Sequence, residues 1–209
     1  RSPVQAERPN EERIFISAES ITAHLGVAKR AHDVSLTEND VITALLWKKY
    51  VPLWNIEADN PATYVTCPFD FRKVLKDFPK NYFGCALCFS STSVDLSALL
   101  KASVGDLAIL IRNSINRIKP EYVFNSLNTL EGLRQQSGLA AMEKVHLRHP
   151  RHGLIVTNLT RLPLHDIDFG SGAPADFKAY AEVAGSAAIL PTRGGVEVLV
   201  IHRPGSNLC

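Results

Sequence analysis

Apolar and polar residues alternate through RIFIS (Arg13 to Ser17), the two-residue period of a half-buried strand. AESITAHLGVAKRA then places Ile21, Leu25 and Ala28 at helical spacing. Thr37, with Asp40 three residues on, reads as a capping-box variant. It opens a second helix whose buried face carries Val41, Ala44 and Leu45, and which ends near Pro52. ATYVTCPFDF and YFGCALCFSSTSV are β-branched and aromatic runs joined by the charged turn RKVLKDFPKN, which predicts neighbouring strands. Between Asp95 and Lys119, Leu96, Leu99, Leu100, Val104, Leu107, Ile111, Ile115 and Ile118 keep a 3.6-residue rhythm. That rhythm predicts one long amphipathic helix, punctuated by Pro120 and followed by a helical stretch to about Gln136. Beyond the basic loop HLRHPRHG, the runs GLIVTNL, DFKAYAEV, SAAILPT and VEVLVIHR read as short strands. The expectation is an α/β fold, a mixed sheet covered by helices on one face.

A chain of 209 residues is long enough to bury a proper core, and one domain accounts for it. Its first twelve residues, rich in Pro, Glu, Asn and Arg, suit a solvated linker connecting to something upstream, with the domain running from 13 to 209. With 45% apolar and 21% charged residues, disorder and collagen-like fibres are excluded. A formal net charge of +2 is too mild for a nucleic-acid partner. No apolar run reaches bilayer length and the start is not signal-like, so the expectation is a cytoplasmic protein without a membrane partner. Four cysteines (Cys67, Cys85, Cys88, Cys209) are few for a disulfide scaffold and read as reduced thiols.

Two short motifs sharpen this picture: NYFG (Asn81, Tyr82, Phe83, Gly84), and TNLTRLPLHDI leading into DFGSG (Asp168, Phe169, Gly170, Ser171, Gly172). With RIFISAES, TENDVITALLW and GGVEVLV, their order and spacing resemble the second domain of the BAHD acyltransferases, of chloramphenicol-acetyltransferase-like fold. The resemblance covers nearly the whole chain. Bottom-up, Asp168 with Gly170 and Gly172 provides a tight turn, and the resemblance likewise implies architecture rather than chemistry for this loop. Most members carry Trp where this chain has Ser171.

The resemblance implies transfer of an acyl group from acyl-CoA, as co-substrate without a permanently bound cofactor, to a hydroxyl or amine of a small-molecule acceptor. Such chemistry needs a general base, which in this family is the His of an HxxxD motif. None of His24, His32, His146, His149, His152, His165 or His202 has an Asp four residues later, so the expectation is no catalytic base in this chain. The base then belongs to a missing amino-terminal domain, in the same chain or a separate one.

This chain would supply the acceptor and CoA side. Thr157 stands where the resemblance places an acceptor-contacting hydroxyl, and it reads equally as a strand Thr. Leu159 occupies the position at which some relatives place a Trp whose indole N–H serves the oxyanion. For CoA, Ser35 and Thr37 with the free N–H groups of a helix start are candidates, although Glu38 and Asp40 oppose an anion there. Arg72 either faces CoA phosphate or solvates a turn, while Lys73 and Lys80 read as solvated.

Cys85 and Cys88 have CxxC spacing, yet on an extended strand they point to opposite faces and read as separate buried thiols. His146, His149 and His152 lack a carboxylate or cysteine to complete a ligand set, so no metal site is expected. Two other readings of the chain stay open: a non-catalytic interaction module of the same fold, and a condensation-type domain using carrier-bound acyl groups. In the half-protein reading, the face that meets the absent domain carries apolar surface and drives self-association.

Overall fold

The computed structural model describes residues 10–31, 34–54, 62–79, 81–142, 153–164, 166–174, 183–192 and 194–202. The first alternating run forms strand β1 (Glu11–Ser17), which passes directly into helix α1 (Ala18–Ala31). β1 takes in Glu11 and Glu12, so the sheet reaches into the stretch read as linker. What holds this end is visible: His202 donates its N–H to the Asn10 carbonyl (2.9 Å), and its Nε2 lies 2.9 Å from Glu12 Oε2.

Helix α2 (Glu38–Tyr50) stops one residue before a 3₁₀ turn containing Pro52. It is enclosed rather than one-faced: Asp40 to Ala44, Leu46, Trp47 and Tyr50 are all buried. Leu45, expected in the core, is only half-buried. The cause is position, since α2 packs on the sheet and is covered by α1 and by a later helix (Val104–Asn116), which also pack on each other.

Strands β2 (Ala62–Asp70) and β3 (Leu87–Asp95) pair antiparallel from Ala62↔Asp95 to Asp70↔Leu87. The second of these starts later than its aromatic composition predicts. The NYFG residues lie in the connection before it, where Phe71 donates its N–H to the Ala86 carbonyl (3.0 Å).

The long helix expected from Asp95 to Lys119 is two helices, α3 (Leu96–Lys101) and α4 (Val104–Asn116). Ser103 breaks it by acting as an N-cap: its hydroxyl accepts the Asp106 N–H (3.1 Å) while the Asp106 carboxylate accepts the Ser103 N–H (3.0 Å). The Lys48 ammonium closes the other side of the gap on the carbonyls of Leu100 and Ala102. Leu99, Leu107, Ile111 and Ile118 are nevertheless buried, whereas Leu100 is exposed.

Helix α5 (Pro120–Ser137) follows and then a single turn, α6 (Leu139–Met142). The closing strands are β4 (Gly153–Asn158), β5 (Ser186–Thr192) and β6 (Gly195–Ile201). The DFKAYAEV run lies outside the described residues apart from Val183.

The six strands form one mixed sheet in the order β1-β6-β5-β4-β2-β3, with β4 parallel to both β2 and β5. Ile155 and Leu159 give their N–H groups to the carbonyls of Gly185 (3.0 Å) and Ile189 (2.9 Å), so by alternation Leu154 and Val156 face β2. The next rung would require residue 68 to donate to the Val156 carbonyl. Pro68 has no N–H, and the β2–β4 pairing ends at Thr66↔Ile155. The main core lies between the sheet and helices α1, α2 and α4, and includes Trp47, Leu107, Ile111, Leu154, Val156 and Ile189. On the opposite face Leu190, Leu199 and Ile201 are buried, with Leu159 and Ala188 against them.

Candidate functional site

Because β2, β4 and β5 run parallel, their carboxyl ends share one edge of the sheet, the edge at which open α/β sheets bind ligands. Thr157 and Leu159 lie at the end of β4 and Arg72 just beyond β2. The NYFG connection leads into β3 at the same edge, since Leu87 pairs with Asp70. The start of α2 is brought there as well, because Asn158 donates from Nδ2 to Asn39 Oδ1 (2.7 Å).

Thr157 is half-buried and, by the alternation that puts Leu154 and Val156 in the helix-side core, projects from the opposite face beside Ala188. Leu159 packs against the small cluster on that face, the role of a core side chain. Ser35 is exposed ahead of α2. Thr37 caps that helix, and its N–H (2.7 Å) and hydroxyl (2.9 Å) are both given to Asp40 Oδ2. The Arg112 guanidinium joins them, 2.7 Å from Thr37 Oγ1. The helix start thus already holds a carboxylate and a guanidinium. Arg72 is taken up locally: Asp70 Oδ1 accepts from its N–H (3.0 Å) and Nε (2.8 Å), and the guanidinium holds the Asp70 carboxyl below its usual range. Lys73 is exposed, and Lys80 lies outside the described residues.

Within the NYFG connection, Tyr82 folds back so that its ring meets Phe78 edge-on (centroids 5.0 Å apart), which in turn meets Phe71 (5.5 Å). Gly84 permits this fold: a Cβ there would stand 2.7 Å from the Tyr82 hydroxyl. Phe83 is left fully exposed, and Asn81 is exposed beside it. In the second motif, Asp168 Oδ1 accepts the N–H groups of Gly170 (2.7 Å) and Gly172 (2.9 Å), both at positive φ (97° and 99°). Those donors hold the Asp168 carboxyl below its ordinary value. Phe169 projects from this turn 94% exposed.

Cys85, read as buried, is exposed because it precedes β3, whereas Cys88 inside the strand is buried. Of the histidines, His202 ends β6 at the opposite edge of the sheet and His24 is exposed on α1. His32, His146, His149, His152 and His165 lie outside the described residues. Among the described residues no group of three His, Cys, Asp or Glu could hold a metal, and no helix is long and apolar enough to cross a membrane. An open cleft of about 460 Å³ beside the edge strand, lined by Ile14, Ile16, Leu45 and Lys49 among others, includes no residue of NYFG or DFGSG and none of the candidate site residues. Sequence reading missed Asn39, Asn158 and Arg112; an Arg amid the apolar run LAILIRNSI was the one available signal.

Residues 6–205 match the model of the transferase family, the BAHD acyltransferases. The chain belongs to this family. It is 32% identical over 137 residues to a hydroxycinnamoyl-CoA:5-hydroxyanthranilate N-hydroxycinnamoyltransferase of Avena sativa, a match covering 64% of this chain and 29% of that protein. The crystal structure of vinorine synthase superposes with a TM-score of 0.70 at 19% identity, over 96% of this chain and 46% of that one. That of F. sporotrichioides TRI101, complexed with coenzyme A and T-2, superposes with 0.71 at 16%, over 94% and 47%. The fold is accordingly chloramphenicol-acetyltransferase-like, and the chain spans about a third of its curated relatives and under half of the solved ones.

Proposed function

We propose that the intact protein transfers an acyl group from acyl-CoA to a hydroxyl or amine of a small molecule, and that this chain supplies the acceptor and CoA side. The family match over residues 6–205 carries this reading. The HxxxD histidine of an upstream domain takes the acceptor's proton as its oxygen or nitrogen attacks the thioester carbonyl. The tetrahedral intermediate then collapses, the C–S bond breaks, and the CoA thiolate leaves with that proton. Thr157 donates its hydroxyl to the acceptor or to the developing oxyanion. Ser35, Thr37 and Arg72 border the CoA path, with acyl-CoA a co-substrate rather than a resident cofactor. The nearly naked ring of Phe83, in the connection that enters β3 at the carboxyl ends of the parallel strands, supports an upstream domain seated there.

The test is release of free CoA by the intact protein, its upstream part included, when given acetyl-CoA or a hydroxycinnamoyl-CoA with candidate alcohols and amines. Release above hydrolysis that depends on the acceptor is the expected result. Release no faster than hydrolysis across the panel defeats the reading.

A further inference from the structure

Asn158 stands immediately after Thr157, and its side chain does three things at once. Its Nδ2 donates to Asn39 Oδ1 in the first turn of α2 (2.7 Å). Its Oδ1 accepts the Thr160 N–H (2.9 Å) and the Thr160 hydroxyl (2.6 Å). Asn39 in turn is two residues from Thr37 and adjacent to Asp40, which Arg112 ties to α4. One amide–amide contact therefore joins the end of β4 to the start of α2, beyond the point where the β2–β4 ladder stops at Thr66↔Ile155. No backbone rung holds β4 to β2 at this level; the side-chain bridge holds β4 to the helix instead.

We propose that Asn158 is a positioning residue. Together with Asn39 it is a strut that sets the spacing between the acceptor-side hydroxyl of Thr157 and the CoA-side residues Ser35 and Thr37. The inference rests on the acyl-transfer reading. In that reading Thr157, Ser35 and Thr37 hold the acceptor and the acyl-CoA, and misplacement of the two substrates relative to each other is felt in turnover more than in the binding of either alone. Loss of the strut therefore lowers kcat and leaves each KM nearly unchanged. Asn158 is exposed and Asn39 half-buried, and neither belongs to the apolar core, so their truncation does not open it.

The experiment compares Asn158→Ala, Asn39→Ala and the double variant of the intact protein. It measures CoA-release kinetics, thermal stability and hydrogen exchange of the Thr160 amide. Each single variant is expected to lose about fivefold or more in kcat with both KM values within about twofold, and the double variant no more than either single, since the two residues act as one unit. Thr160 exchanges faster in Asn39→Ala, although its own acceptor is intact, because Asn158 has lost its anchor. An unchanged kcat in Asn158→Ala, or single losses that multiply in the double variant, overturns the strut. Should the wild type release no CoA, the acyl-transfer reading fails on its own account; unaltered Thr160 exchange in Asn39→Ala then overturns the strut independently.

Discussion

Asp40 and Arg112 form a buried ion pair across the helix layer: the carboxylate has no exposure, the guanidinium side chain is 18% exposed, and Oδ2 accepts from Nε at 2.9 Å and Nη2 at 2.6 Å. Both Thr37 groups converge on the same oxygen. A pair so placed costs its desolvation in the folded state, but removing one member leaves a bare charge inside. Arg112→Met is expected to destabilise the chain by roughly 3 kcal/mol. In a thermal melt that is a drop of about 10 °C for a domain of this size. Pairing it with Asp40→Leu should recover most of the loss, because an apolar pair of similar volume avoids the buried charge. A double variant no more stable than Arg112→Met alone would show that the carboxylate is not what the arginine compensates.

How much of this was legible depends on range. The strand pairs β2–β3 and β5–β6 and the cap at Thr37 are local patterns, and the sequence displays them. The break at Ser103 is hidden because the apolar rhythm resumes after it, so only the Ser103–Asp106 box betrays two helices. NYFG reads as strand by composition, and it takes the Gly84–Tyr82 packing to see why it is not. The partners Asp40 and Arg112 are 72 residues apart, and Asn39 and Asn158 are 119 apart. No local period encodes such pairs. Thr157, Leu159, Arg72 and NYFG were found through resemblance, whereas their gathering at one edge follows from the parallel run of β2, β4 and β5, which no single segment reveals.

The three described cysteines differ sharply in environment. Burial, with the Asp40 carboxylate near, pushes the Cys67 thiol up to about 12, and burial also raises Cys88. Cys85 is exposed. Since the thiolate is the nucleophile, alkylation of the folded protein near pH 8 should mark Cys85 and spare Cys67 and Cys88 until denaturant is added. Peptide mapping by mass spectrometry reads this directly. Rapid labelling of Cys67 in the native state would contradict its place in the core.

Phe83 is fully exposed and Phe169 is 94% exposed, each on a turn that fixes the backbone beneath it. Aromatic rings presented in this way anchor interfaces and otherwise drive association. This chain alone is expected to self-associate with rising concentration in sedimentation experiments. Phe83→Ser with Phe169→Ser should shift it towards monomer without lowering its melting temperature. A monomer at all concentrations, or association untouched by the double substitution, would mean that these rings are not the contact.

The Asp168 turn carries its own pH dependence. The carboxylate of Asp168 accepts two backbone N–H groups, from Gly170 and Gly172, and its folded pKa lies below the ordinary value of 3.8. A depressed carboxyl pKa gives order that is fully present above the unfolded value and is lost as pH falls through the folded one. The turn should therefore be intact at neutral pH and loosen only below about pH 4, towards the folded pKa. Hydrogen exchange at the Gly170 and Gly172 amides, corrected for intrinsic rates at each pH, follows this loosening. Asp168→Asn keeps an amide oxygen for the same two donors, so it should retain most of the protection and abolish its acid dependence. Asp168→Ala should lose protection at every pH. If Asp168→Asn were as unprotected as Asp168→Ala, the charge rather than the acceptor geometry would be holding the turn, and Gly170 and Gly172 would be secondary to it.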